Sequence, residues 1–216
     1  MFGAIILSIL LFFPSQAVAY AGITPVETLL SLEQISLENR QRDEYINEVF
    51  KDNILLNIAY MKGKVTKKDD INWNIVRKPF SYKFTLFPQK TFAFHEDVFP
   101  QYKSTLAITT NAHFNYQEGF KSDGYLVGDG VCHLASLIYW VAKEAGLDAY
   151  APTNHNFAVI PEISKEYGVS IYSMPGQIMA NARQNLYVTN NRQKPVVFEF
   201  VYNGEKLKLS IFEKLR

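Results

Sequence analysis

Residues 196–212 read VVFEFVYNGEKLKLSIF, two runs of alternating apolar and polar residues flanking Asn203-Gly204. A period of two suits a strand and not a helix, and Asn-Gly tolerates the positive φ of a tight hairpin turn. Taking Asn203-Gly204 as the two turn residues pairs Tyr202 with Glu205, Phe200 with Leu207, Phe198 with Leu209 and Val196 with Ile211. That register collects the apolar residues on one face and sets Glu199 against Lys208 on the other. A hairpin with a wholly apolar face needs a core to cover it. The rest of the chain must therefore supply helices or further strands to pack there.

Further strands are legible upstream. Tyr82–Phe87 and Thr91–Phe94 are short alternating runs separated by Pro88, Pro100 and polar turns. Ile46, Val49, Phe50, Ile54 and Ile58 recur at helical spacing and end at Met61-Lys62-Gly63. Ahead of them, Thr24-Pro25-Val26-Glu27 has the form of a helix start. Thr24 is placed to cap, Pro25 occupies the first turn and Glu27 closes a capping box. Residues 20–48 are accordingly expected to form an N-terminal helical segment reaching about Arg42. Lys64–Asp70 reads as a solvated loop.

The first residues, MFGAIILSILLFFPSQAVA, have the form of an export signal over 1–19. The apolar run Gly3–Phe13 is too short to span a bilayer, Pro14 breaks it, and Ala17-Val18-Ala19 supplies a small-x-small cleavage pattern. Export implies an extracytoplasmic location (secreted, periplasmic or cell-wall-associated), with membrane contact only through this segment if it stays uncleaved. The chain has 22 Lys and Arg against 21 Asp and Glu, so it offers no charge for a nucleic-acid partner. Exported proteins pair their cysteines, yet this chain contains one, Cys132.

That residue lies in GDGVCHLASLIYW, Gly128–Trp140. Leu134, Leu137, Ile138, Val141, Ala142 and Ala145 make one face of a helix that Gly146 terminates. Cys132 thus falls in the first turn, where unpaired N–H groups lower a thiol's pKa and are able to receive an oxyanion. Asp129 and Gly130 lead into that turn, and the amides of Val131 and Cys132 are the expected oxyanion donors. The glycines are expected to let a substrate carbonyl approach the backbone.

A thiolate needs a base. Of His95, His113, His133 and His155, the last fits best. Ala149–Pro161 reads as an extended return beside the helix, with Phe157 and Val159 as strand residues, and nine residues after Gly146 suffice to reach the helix start. Asn154 or Asn156 would orient the imidazole. His133 follows Cys132 directly and points elsewhere around the helix. No metal site is expected: no HExxH and no i, i+4 histidine pair occurs, and one cysteine builds no thiolate site. No cofactor is implied. The residues alone therefore indicate an exported cysteine acyl-transfer candidate. The alternatives are a cysteine endopeptidase of NlpC-like logic, or a non-catalytic module with an inert thiol.

The stretch Gly128-Asp129-Gly130-Val131-Cys132-His133, with Tyr139 seven residues after the cysteine, resembles the GGGVCQxSxTLY signature of VanW-like domains. Asn53–Gly63, Thr91–Phe94, Asn154–Val159 and the terminal hairpin are similar to further landmarks of that family, so a VanW-like domain is expected over 49–213. Asp129 and His133 replace the signature's glycine and glutamine, and Lys64–Pro88 reads as an insertion. The resemblance implies a cell-wall protein associated with glycopeptide resistance, with peptidoglycan stem peptides as partners. It also implies L,D-transpeptidase-type chemistry through a thioester on Cys132, with His155 as base. The fold expected is α+β. N-terminal helices precede a nucleophile-bearing helix that packs on a mainly antiparallel sheet ending in a β-hairpin.

Overall fold

The computed structural model describes residues 27–215; the expected signal segment lies outside them. The terminal hairpin is the centre of the first sheet. Strands β1 (Glu27–Ser36), β2 (Phe80–Leu86), β7 (Val196–Tyr202) and β8 (Lys206–Lys214) assemble in the order β1-β8-β7-β2, every pair antiparallel. A second sheet, ordered β4-β3-β6-β5, contains β3 (Thr91–Ala93), β4 (Leu106–Ile108), β5 (Asp148–Tyr150) and β6 (Tyr187–Thr189). The α+β class holds. Helices α1 (Glu44–Met61) and α3 (Val131–Glu144) complete the core, joined by the short helices α2 (Trp73–Val76) and α4 (Ile178–Arg183).

The hairpin register differs from the sequence reading. Tyr202 pairs with Leu207, Phe200 with Leu209 and Phe198 with Ile211. The turn sits one residue later, on Gly204-Glu205, because the Asn203 side chain accepts from the amides of Glu205 and Lys206 at 2.9 and 2.7 Å. Gly204 takes φ +110° at the first central position, a place that favours glycine. Each partner moves by two residues, so the faces are conserved: Phe198, Phe200, Leu207, Leu209 and Ile211 are all buried. The expected Glu199–Lys208 pair is lost. Glu199 instead lies opposite Lys83 of β2, Nζ to Oε1 3.3 Å.

A second difference is larger. The segment expected to be helical from Thr24 to Arg42 contains β1 over Glu27–Ser36, while Thr24–Val26 lie outside the described residues. Local capping signals lose to tertiary pairing here. β8 is a long strand whose apolar face is buried, and its outer edge would be an open row of N–H and C=O groups without β1. The pairing continues past the strand, with the Leu37 amide donating to Glu205 O at 2.7 Å. Helix α1 starts only at Glu44, where Asp43 caps it by accepting from the Ile46 amide at 3.0 Å.

Aromatic stacking joins the two sheets. Phe84 of β2 lies 4.7 Å from Phe198 of β7, with ring planes 10° apart, and 5.6 Å from Phe92 of β3. Phe198 is fully buried in this column. Phe198→Ala is expected to cost about 3–5 kcal/mol, read as a lowered midpoint in chemical denaturation at unchanged slope. A cost below about 1 kcal/mol would show that the column is not a structural link.

Candidate functional site: the cleft at the head of helix α3

Two buried residues of helix α1 set the start of α3. The Asn53 amide donates to Lys121 O at 3.0 Å and Asp129 O at 2.9 Å, and its oxygen accepts from the Lys121 amide at 2.8 Å. Phe50 presents its backbone to Gly130. A Cβ on Gly130 would lie 2.6 Å from Phe50 O, and the residue has φ +97°. A Cβ on Gly128 would meet Phe114 Cβ at 2.9 Å. The glycines admit neighbouring chain, and what approaches them is the protein's own backbone and side chains rather than an open path for a substrate carbonyl.

The first turn of α3 is largely committed. The Val131 amide donates to Gly128 O at 3.1 Å, and the amides of His133 and Leu134 donate to Gly130 O at 3.0 and 3.2 Å. Val131 is therefore not available as an oxyanion donor in this state, whereas the Cys132 amide bonds no backbone carbonyl among the described residues and acts on its own sulfur. The Cys132 sulfur is engaged as well. It accepts from the Ile171 amide at 3.4 Å and donates toward Ile171 O at 3.7 Å. One turn on, Ser136 Oγ donates to Cys132 O at 2.7 Å and accepts from the Val169 amide at 2.9 Å. Cys132 and Ser136 thus hold residues 169–171 as a strap along α3. The intervening Ser170 faces away and donates its amide to Thr153 O at 2.9 Å. The strap accordingly runs between α3 and the segment that carries His155.

This arrangement reverses the expected electrostatics of the thiol. Burial, reinforced by the nearby Asp129 carboxylate, pushes the Cys132 thiol up to about 11, although the Ile171 amide acts the other way. Burial likewise lifts the Asp129 carboxyl to about 6; its Oδ2 accepts from the Asp123 amide at 2.9 Å. His155 is buried and held neutral, its pKa lowered by desolvation. Its Nδ1 lies 3.2 Å from Ala158 O, which assigns the proton to Nδ1 and leaves Nε2 as an acceptor. Asn154 bonds Lys165 O at 3.1 Å, and among the described residues neither Asn154 nor Asn156 hydrogen-bonds the ring. Among the described residues no hydrogen bond joins Cys132 to a histidine.

Cys132, Asp129, Gly130, Val131 and His155 nevertheless line one cleft of about 140 Å³, together with His133. His133 is buried against Phe50, ring centroids 5.1 Å apart, and stands 6.2 Å from the His155 ring. Burial, with help from Arg40 and His155, drives its pKa down to about 3. Its Nδ1 has no partner among the described residues.

The expected strand residues Phe157 and Val159 belong to no strand. They are 74% and 88% exposed and form an apolar rim with Leu126 and Tyr172. Past Leu126 the cleft continues into a second cavity of about 320 Å³ lined by Tyr125, Met174 and His113. The strap, Ser136 and Asn53 were not singled out from sequence. The available signal is a serine on the apolar face of α3 and the polar residues Asn53 and Asn57 among the apolar ones of α1.

A model of the family described as VanW like protein matches residues 82–212, more than half of the 216-residue chain. The chain belongs to the VanW-like family. The match runs from within β2 into β8, takes in the cleft apart from Gln41 and Phe50, and leaves β1, α1 and α2 outside it. No curated protein and no solved structure matches the chain significantly.

Two titrations check this VanW-like site. The Cys132 thiolate is expected to form only near pH 11. Alkylation at neutral pH should then run roughly three-hundredfold slower than at a free cysteine of pKa about 8.5; fast alkylation would mean that the strap does not hold. His113 tests the neighbouring cavity. Burial works against its charge, but Glu118 at 2.8 Å from Nδ1 and Glu96 at 3.1 Å from Nε2 outweigh it and raise the pKa. A raised histidine gives stability that is fully present below its unfolded pKa of about 6.5 and lost as pH climbs through the folded value. Protection of the His113 amide, which donates to Glu118 at 2.7 Å, should therefore fall above about pH 6.5. The fall should vanish in His113→Gln, as read by hydrogen exchange corrected for intrinsic rate.

Proposed function

We propose that this VanW-like chain is an extracytoplasmic cell-wall module that binds peptidoglycan stem peptides in the cleft at the head of α3, with Cys132 in a structural role. The observation that carries the reading is the pair of contacts between the sulfur and the Ile171 backbone. A thiol that holds a strap and resists ionisation is a poor nucleophile at neutral pH. The cleft proper is too small for a peptide, but the continuous depression past Leu126 and the exposed rim of Phe157, Val159 and Tyr172 offer an apolar groove for an extended one. Family membership and the export-like first residues support the wall setting.

A second reading is acyl transfer, and one observation favours it: Cys132 and His155 share the cleft, with Nδ1 of His155 held by Ala158 so that Nε2 is free to accept a proton. The strap must then withdraw. His155 takes the thiol proton, the sulfur attacks a stem-peptide carbonyl, and the released amine leaves with that proton. An acceptor amine then resolves the thioester; water in its place gives the endopeptidase variant.

Calorimetric titration with a stem pentapeptide separates the readings. Binding is expected to survive Cys132→Ala and to weaken roughly tenfold, the factor that about 1.4 kcal/mol represents, in Leu126→Ala and Phe157→Ala. Release of terminal D-alanine by the parent chain, abolished in Cys132→Ala, would replace the module reading with the transferase.

A further inference from the structure

The largest groove of those described lies elsewhere and shares no lining residue with the Cys132 cleft. It measures about 560 Å³ and is formed where α1 and residues 68–73 meet the loop carrying Tyr116 and Lys121. The α1 residues and Trp73 lie outside the family match, whereas Tyr116 and Lys121 lie within it. The groove is thus a seam between the VanW-like domain and this chain's own additional segment.

Its base is built around a buried carboxylate. Asp52 of α1 is fully buried and takes both Nε and one terminal nitrogen of Arg77, each at 2.7 Å, and the Lys121 ammonium as well. Held there, the Lys121 nitrogen lies 4.3 Å from the centroid of the Trp73 ring, with Arg77 at 5.7 Å. Two cations over one indole, both tied to the same carboxylate, fix that ring in place. Tyr45 and Tyr116 form the walls, 70% and 56% exposed, with hydroxyls that bond no other described residue. Asp52 and Glu48 together offset Arg77 and Lys121, with Glu48 4.0 Å from Arg77, and Lys68 leaves the groove with one net positive charge. Only Lys68 lacks an ionic partner among the described residues lining it.

We infer that this groove binds an uncharged oligosaccharide. A pyranose ring has a C–H face that packs on an aromatic ring and a rim of hydroxyls that needs donors and acceptors at the edge. Tyr45 and Tyr116 supply free rings, and Glu48, Lys121 and the tyrosine hydroxyls supply the edge groups. A single net positive charge attracts a polyanion only weakly, and a preformed base lowers the ordering cost of binding. The inference takes only its setting from the wall-module reading, naming a glycan strand as the second wall component that the chain grips.

The test titrates the full chain, carrying Trp140→Phe so that Trp73 is the one remaining indole, with a chito-oligosaccharide. Saturable change in Trp73 fluorescence is expected. The apparent Kd should rise roughly tenfold in Tyr45→Ala and in Tyr116→Ala, both exposed positions whose folding is checked by circular dichroism, and stay unchanged in Cys132→Ala. No fluorescence change accompanied by no calorimetric heat, or binding indifferent to both tyrosines, overturns the inference. So does a proline-rich peptide that occupies the groove when the sugar does not. None of these outcomes bears on stem-peptide binding in the α3 cleft, which Leu126→Ala and Phe157→Ala report separately.

Discussion

One buried amide organises the site. Asn53 sits in the buried C-terminal two-thirds of α1, and its three hydrogen bonds all go to backbone groups of the loop that ends at α3. A buried asparagine is costly unless every bond is made. Its bonds in turn hold Lys121 and Asp129 at a fixed separation from α1, and Gly130 then closes onto the Phe50 backbone with no room for a side chain. The groove at the seam depends on the same anchor, since Lys121 is both the residue Asn53 grips by its backbone and the cation lying over Trp73. Cleft and groove thus share a support without sharing a wall.

The fate of the cysteine turns on which of two effects on a thiol is larger. Peptide dipoles at a helix start favour a thiolate, while removal from water opposes it. Here the amides of Val131, His133 and Leu134 are spent on the loop's own carbonyls, Gly128 and Gly130, which leaves the amides of Cys132 and Ile171 to act on the sulfur. Burial under the strap and the proximity of Asp129 then decide the outcome. Cys132 and Ser136, one turn apart on the same face, act as matching hydrogen-bond acceptors for alternate amides of the strap, and the sulfur's second contact, donation toward Ile171 O, requires an intact S–H.

What the sequence made legible follows from which forces are local. The helix around Ile54 and Ile58, the helix after Cys132 and the strands of the hairpin carry their period in their own residues, and the structure has them. The hairpin turn was misjudged by one residue because Asn203 serves as a side-chain acceptor rather than as a turn residue of positive φ. β1 was misread because its partner is some 180 residues away in sequence, and a convincing local cap gave no hint of the open edge it would cover. The family signature identified the right loop and helix. It did not foretell the strap, since nothing in residues 169–171 announces that their amides will seek a sulfur and a serine. Phe157 and Val159 have β-favouring side chains, yet no strand among the described residues pairs with them.

The antiparallel pairing of β1 with β8 sets Glu27 beside Lys214, so the two ends of the described chain leave the sheet at the same corner. Tension applied between a tether ahead of Glu27 and a load beyond Lys214 would therefore not shear the ladder as a block. It would peel the rungs singly, beginning at that corner and moving toward Ser36. The domain would yield in small steps at its rim, and the core column of Phe84 and Phe198 would bear strain only after the edge strand had come away.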